Sequence, residues 1–315
     1  MLRHAAVLIA LLVTPAFADE DIKDQYPGSV LYEKPVEVIP DVWSAIGATA
    51  PPGYENAGHN NNLSFIVTGD GVIVVNAGAN AKLAAALHDE IKAITDQPVK
   101  LVINENGQGH AMLGNNYWID QGVEVLAHVD AAESFEEENG ALFANMKRYA
   151  QENWEGTDPM GPTRTFDDKE VIEMGRFTIE VLHLGEAHSP GDTQVWIPAE
   201  GMMIAGDIAF HNRIPPIFAD TCTSCWIETW ETAFAPLNPT YIIPGHGHPT
   251  NLAQVEDHTI GYLKHLRGKI GEHIENGGTL EDAYYVDQSP YAHHDTFKEL
   301  ATKNAGQVFS EMEFE

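Results

Sequence analysis

Residues 104–115 read Asn-Glu-Asn-Gly-Gln-Gly-His-Ala-Met-Leu-Gly-Asn and place one imidazole, His110, in a glycine-bearing loop after an apolar run. Three later segments have the same character: Gly185-Glu186-Ala187-His188-Ser189-Pro190-Gly191-Asp192, Ala205-Gly206-Asp207 and Pro244-Gly245-His246-Gly247-His248. Imidazole and carboxylate on such loops are donor types for transition metals. Cys222 and Cys225, the only two cysteines, offer a different chemistry in the spacing Cys-Thr-Ser-Cys. In a reducing compartment that pair suits redox chemistry or half of a zinc site; after export a local disulfide is expected. A zinc ribbon is excluded, because no second cysteine pair exists.

The four histidine- and aspartate-bearing segments resemble, in order, the motifs of the metallo-β-lactamase superfamily, over about residues 38–312. The first is similar to His-x-His-x-Asp-His followed by Gly-Asn, with Asn106 and Gln108 in place of the first two histidines. His110 stands where that family has the aspartate and Ala111 where it has the third histidine. The other three look like His-Thr/Ser-x-Gly-Asp, the Gly-Asp whose carboxylate bridges two metals, and Pro-Gly-His-Gly. The resemblance implies a four-layer αββα sandwich with ligands on loops at one edge. It also implies that the first metal position, at Asn106, Gln108 and His188, has lost two imidazoles to carboxamides. The second, at His110, Ala111 and His246 with Asp207 bridging, keeps more. The retained donors His110, His188, Asp207 and His246 suit one divalent transition metal per chain: zinc, or manganese or iron if waters complete the set. Four bound donors make a closed, structural site; if His188 stays back, a position opens for water. The other reading is a metal-free relic with hydrogen-bonded histidines. Asn106 and Gln108 then line the cavity, orienting a substrate carbonyl or filling vacated space. His211 and His59 are candidates for the pocket flank and rim, and His248 for a supporting role. Asn76-Ala77-Gly78 replaces Asp-Thr-Gly, an element that steadies the ligand loop, so its support is expected to weaken.

Composition narrows the partners. Residues 1–18 carry Arg3, an apolar run and Ala16-Phe17-Ala18 before Asp19, the pattern of a cleavable secretory signal; in a bacterium the destination is the periplasm. The chain has 17 basic and 47 acidic residues, a formal charge of −30, and removal of the signal leaves −31. Such a field disfavours nucleic acid and anionic membrane; it serves solubility or a partner with a basic surface. The acidic run 133–138 reads as a solvated helix face. No stretch outside the signal is apolar enough to span a bilayer. The remaining residues 19–315 suit one α/β unit.

The elements that must position the loops follow from periodicity. Residues 63–68 and 72–75 are β-rich runs around Gly69-Asp70-Gly71, a hairpin signal. Asn80 can cap a helix carrying Leu83, Leu87, Ile91 and Ile94, and residues 99–103 form a strand buried on both faces. A strand at 123–127 and a helix at 131–150 precede a loop at 151–165. Strands at 177–183, 194–197, 202–205 and 241–243, a helix at 226–234, and a helix with Leu263, Leu266, Ile270 and Ile274 on one face complete the pattern. Gly277 and Gly278 stop that helix, and Thr279 can cap the next.

Two functions compete. One is a periplasmic metal-dependent hydrolase with one ion, cleaving an acyl, thioester or thiol conjugate. The chain resembles metallo-β-lactamase-fold proteins of bacterial sulfur-oxidation (Sox) clusters and quinoprotein-associated metallohydrolases. The shared wording is Ile39-Pro40-Asp41-Val42-Trp43, Leu126-Ala127-His128 and Lys303-Asn304 through Val308-Phe309 to Glu311-Met312-Glu313. That branch implies a thiol conjugate, either small or on a carrier protein. The alternative is a binding protein that keeps the pocket and has lost hydrolysis. Antibiotic turnover is disfavoured, since it leans on the ligands missing here.

Overall fold

Strands whose side chains are buried on both faces must lie between two apolar layers, and the computed structural model shows how the chain supplies them. It describes residues 26–137, 139–313 and 315; the expected signal 1–18 and its junction after Ala18 lie outside the described residues. One seven-stranded sheet runs in sequence order: β1 (Val36–Ile39), β2 (Val42–Ala45), β3 (Leu63–Val67), β4 (Val72–Val75), β5 (Val99–Ile103), β6 (Glu124–His128) and β7 (Arg164–Phe166). The first four are antiparallel; β4 to β7 are parallel. A second sheet has the order β12-β11-β10-β9-β8, with β8 (Lys169–Met174), β9 (Phe177–Leu182), β10 (Gln194–Ile197), β11 (Met202–Phe210) and β12 (Tyr241–His246).

Period-two alternation sorts these side chains into separate cores. In β4, Ile73 and Val75 face the other sheet, whereas Val72 and Val74 face helices; in β11, Met202 and Ile204 face inward, and Met203 and Ala205 outward. The inter-sheet core joins Ile66, Leu101, Ile103 and Leu126 to Ile179, Val181, Val195 and Ile243. Over the first sheet lie α1 (Ala81–Ile94), α2 (Gly109–Met112), α3 (Asn115–Asp120), α4 (Val129–Glu137) and α5 (Asn139–Ala150). Over the second lie α6 (Thr223–Thr229), α7 (Leu252–Val255), α8 (Tyr262–Glu275), α9 (Leu280–Ala283) and α10 (Phe297–Met312). The layers are α, β, β, α, as the resemblance implies. Among the described residues no helix is long and apolar enough to cross a membrane.

Several expectations need correction. The segment 151–165 is not all loop: a 3-10 turn spans Gln151–Trp154, and residues from Arg164 form the edge strand β7, too short to show a pattern. Strand β8 escaped notice because an edge strand with one face in water carries Lys169, Glu170 and Glu173. Helix α6 begins three residues before 226 and widens into a π-helical turn over Trp230–Phe234. Strand β11 continues past 205 to Phe210, so Asp207 lies inside a strand.

Asn80 caps α1: its Oδ1 accepts the Leu83 N–H at 2.8 Å, while its Nδ2 donates to the Ala57 carbonyl at 2.8 Å. Asn80→Ala removes the cap and strands a buried carbonyl, so it should lower unfolding free energy by about 1–2 kcal/mol in a urea titration.

Candidate metal centre

Four loops meet at one edge of the two sheets. Strand β5 delivers Asn104–His110, β9 delivers the segment 183–192, β11 carries Gly206-Asp207, and β12 ends on His246. Gly206 adopts φ +65°, in the left-handed region, and the β11–β12 register shifts on both sides of it. This bulge re-aims the strand and sets Asp207 into the edge. A Cβ at Gly206 would lie 2.7 Å from Glu105 Oε2, and one at Gly245 would overlap Asp207 Oδ1. The two glycines are the room the carboxylates need.

Asp207 is 2% exposed and has polar neighbours on every side. Asn106 Nδ2 donates to its Oδ2 at 3.1 Å; His110 Nε2 and His188 Nδ1 lie 3.5 and 3.6 Å from the same oxygen. His246 Nε2 faces Oδ1 at 3.3 Å. The tautomer of His246 follows from its other nitrogen, since the only role open to Nδ1 beside the Asn60 carbonyl, 2.5 Å away, is to donate a proton. Nε2 is then a bare lone pair pointed at a carboxylate oxygen, and Oδ1 has no hydrogen-bond partner. Burial holds the His246 pKa down to about 4 against the pull of the Asp207 charge, which disfavours a second proton on the ring. Two buried acceptors facing each other need a cation between them. The ligand atoms of His110, Asp207 and His246 all lie within 4.8 Å of one another, and these residues fit a divalent ion.

His188 stands at the side of this cluster. Its ring is fully buried against Phe210, Phe218 and Trp226, and Gln108 Nε2 lies 3.4 Å from Nδ1. Asp192 holds the loop, accepting the N–H of His188 and of Ser189 at 2.7 and 2.9 Å. Burial lowers the His188 pKa to about 4, and its Nε2 has no hydrogen-bond partner.

The other pocket candidates sit differently from expectation. Asn106 is fully buried and holds Asp207 instead of facing a cavity, because its amide is the nearest donor to Oδ2. His59 is not at a rim: it is fully buried, and its Nδ1 accepts the Tyr32 N–H at 2.8 Å. His211 turns into a separate histidine stack, its Nδ1 donating to the His248 carbonyl and its ring 4.8 Å from that of His258. His258 continues to His294 at 4.2 Å, and His294 is 7% exposed. His248 meets Glu33 and Asn212 rather than the ligands. Asn76 keeps the support expected to weaken: at φ +70° its Oδ1 accepts the Glu105 N–H at 3.1 Å, tying β4 to the ligand loop.

Two residues were missed. Glu105, 2% exposed, places Oε1 3.1 Å from His110 Nε2. Burial, then the charge of Asp207, pushes its carboxyl up to about 7. On His110, burial opposes charge, but Asp207 and Glu105 outweigh it and raise the pKa. Arg213, 4% exposed, brings Nη1 3.4 Å from His246 Nδ1 and remains cationic although burial lowers its pKa to about 10. Glu105 was legible as the acid next to Asn106; Arg213 had no sequence signal beyond its distance from Asp207.

No protein-family profile matches the chain. It is 22% identical over 118 residues to the metallo-β-lactamase type 2 of Bacteroides fragilis, a match covering 36% of this chain and 44% of that relative, less than half its length. Among solved structures, a metallo-β-lactamase from Pontibacter korlensis superposes with a TM-score of 0.61 at 17% identity, covering 73% of this chain and 98% of the other. The DIM-1 metallo-β-lactamase exposed to ceftazidime gives 0.56 at 14% identity, covering 70% and 92%. The chain therefore has the metallo-β-lactamase fold.

Two outcomes follow. Asn106→Ala removes the donor that orients Asp207, so affinity for added zinc, measured by competition with a chelating dye, should fall by about 10–100-fold while His110, Asp207 and His246 remain in place. Burial holds His59 and His258 at about 3 and His294 at about 4, below their ordinary 6.5. Their folded values are depressed, so the unfolded chain binds more protons below pH 6.5. The stability from keeping them neutral is complete above about 6.5 and is lost as pH falls toward 3–4. The thermal midpoint should drop across that range, and His258→Gln should flatten the drop.

Proposed function

We propose that this chain is a metal-dependent hydrolase using one divalent transition ion, with zinc favoured and manganese or iron as alternatives. His110, Asp207 and His246 would hold it, with His188 alongside. The observation that carries this reading is the confrontation of the His246 Nε2 and Asp207 Oδ1 lone pairs inside a buried His–Asp–His cluster. A bound ion supplies Lewis acidity, polarising an acyl carbonyl and acidifying water near neutral pH. The chain's own groups do the rest. Asn106 fixes the rotation of Asp207, the Asn60 carbonyl fixes the tautomer of His246, and Arg213 adds a permanent positive charge. Glu105, titrating at about 7, holds or releases a proton 3.1 Å from His110.

The substrate class we favour is a thioester or thiol conjugate, free or on a carrier protein, met in the periplasm after signal cleavage. The support is the resemblance to the Sox-cluster and quinoprotein-associated branch, together with the secretory pattern of residues 1–18. A basic-surfaced partner suits the charge of −30. The solved relatives are β-lactamases by name; Asn106, Gln108 and Ala111 argue against antibiotic turnover here, because they stand where three imidazoles would be.

A second reading, a binding protein without hydrolysis, draws on the closure of the site. His110 is 8% exposed and the other donors less, and Asn62 pins residues 59–62 over them through its Nδ2 bonds to the Pro244 and Gly247 carbonyls. Elemental analysis and a thioester screen separate the two. The hydrolase should carry about one ion, and Asp207→Ala, which removes the anionic donor of the His–Asp–His cluster, should lose metal and turnover together. One tightly held ion without turnover of any thioester or thiol conjugate would favour the binding protein. Two tightly held ions, or no metal under any loading condition, would overturn the one-ion reading.

A further inference from the structure

The metal chemistry leaves one reactive feature unused: Cys222 and Cys225 form a disulfide, and both residues are only half-buried. A bridge between residues three apart constrains little of the unfolded chain. The segment is also held without it. Thr221 Oγ1 donates to the His188 carbonyl at 2.8 Å, Glu311 accepts the Thr223 N–H at 2.9 Å, and Trp226 Nε1 donates to the Ile208 carbonyl at 3.0 Å. Opening the sulfur–sulfur bond therefore leaves the backbone anchored on both sides. Cys222 Sγ already accepts the Cys225 N–H at 3.2 Å, an interaction that stabilises a thiolate better than a disulfide sulfur. The carboxylate of Glu186, within 4.8 Å of both sulfurs, opposes that charge, and its exposure to solvent screens the effect.

We propose that Cys222–Cys225 is a redox-active disulfide that exchanges with thiols beside the metal centre. A thiolate R–S⁻ attacks Cys225 Sγ, the sulfur–sulfur bond breaks, and Cys222 leaves as the thiolate held by the Cys225 N–H. A second thiol attacks the mixed disulfide at the R sulfur, releasing R–S–S–R and freeing Cys225. Two thiols give up two electrons and two protons, and the protein disulfide becomes a dithiol. The reverse reaction, with R–S–S–R as oxidant, restores the bridge. Location gives the exchange a use: Thr221 bonds to the backbone of His188, Trp226 packs on its ring at 5.4 Å, and Glu186, two residues before His188, lies within 4.8 Å of both sulfurs, so the bridge adjoins the segment that carries His188. The exchange needs no metal and stands apart from the hydrolase reading.

The test uses the full chain purified without reductant, in metal-loaded and chelated samples, equilibrated with mixtures of glutathione and its disulfide under native conditions. Alkylation and mass measurement count the thiols. The expected result is reversible passage between zero and two free thiols, identical in both samples, with an unchanged thermal midpoint. Cys222→Ser should accumulate one glutathione on Cys225, because the resolving thiol is gone. A bridge that stays oxidised in excess glutathione until denaturant is added would overturn the proposal. A thermal midpoint that collapses on reduction would also overturn it, by making the bridge a structural staple. If the serine variant does not fold, the wild-type titration decides alone.

Discussion

A carboxylate buried at 2% exposure, with no partner for one of its oxygens, is the constraint around which this end of the molecule is built. An isolated ionised carboxylate in the interior is costly unless donors or cations surround it. Asp207 has the Asn106 amide and three imidazoles, with Arg213 nearby, and together His246, His110 and His188 hold its pKa well below the usual carboxylate range despite burial. The bulge at Gly206 and the bare flank of Gly245 exist to admit that group.

The sandwich makes such a site inexpensive to assemble. Strands β5, β11 and β12 are buried on both faces through most of their length, so their ends are rigid and their loops start from fixed points. Two cross-links then bring the first sheet's loop over the second sheet's motif: His246 to the Asn60 carbonyl, and Asn62 to Pro244 and Gly247. The same contacts that set the tautomer of a ligand also close the site. Orientation and enclosure are one feature here.

The carboxamides at 106 and 108 both take part in the cluster around Asp207 and His188. Asn106 became a donor to the carboxylate, and Gln108 a neighbour of His188. Glu105 and Arg213 add one acid and one base to the space near Asp207. An amide, imidazoles and a guanidinium share the work of offsetting the Asp207 charge.

The α/β class was legible in the chain because it depends on local pattern, with apolar runs of strand length and Asn80 as a cap, whereas the αββα order came from the resemblance of the loop motifs around His188, Asp207 and His246. The disulfide was legible too, from two cysteines three residues apart behind a secretory pattern. What only the tertiary structure decided were relations between segments far apart in sequence. Nothing local says that Asn60 would select the proton position on His246, 186 residues away, or that Glu105 would lie against His110 rather than in water. His59 and His211 looked alike as polar residues near motifs, yet one is fully buried against the Tyr32 backbone and the other joins a histidine stack. Spacing along a chain sets which loop a side chain belongs to; its partner, its proton and its exposure are set by whatever the other sheet brings against it.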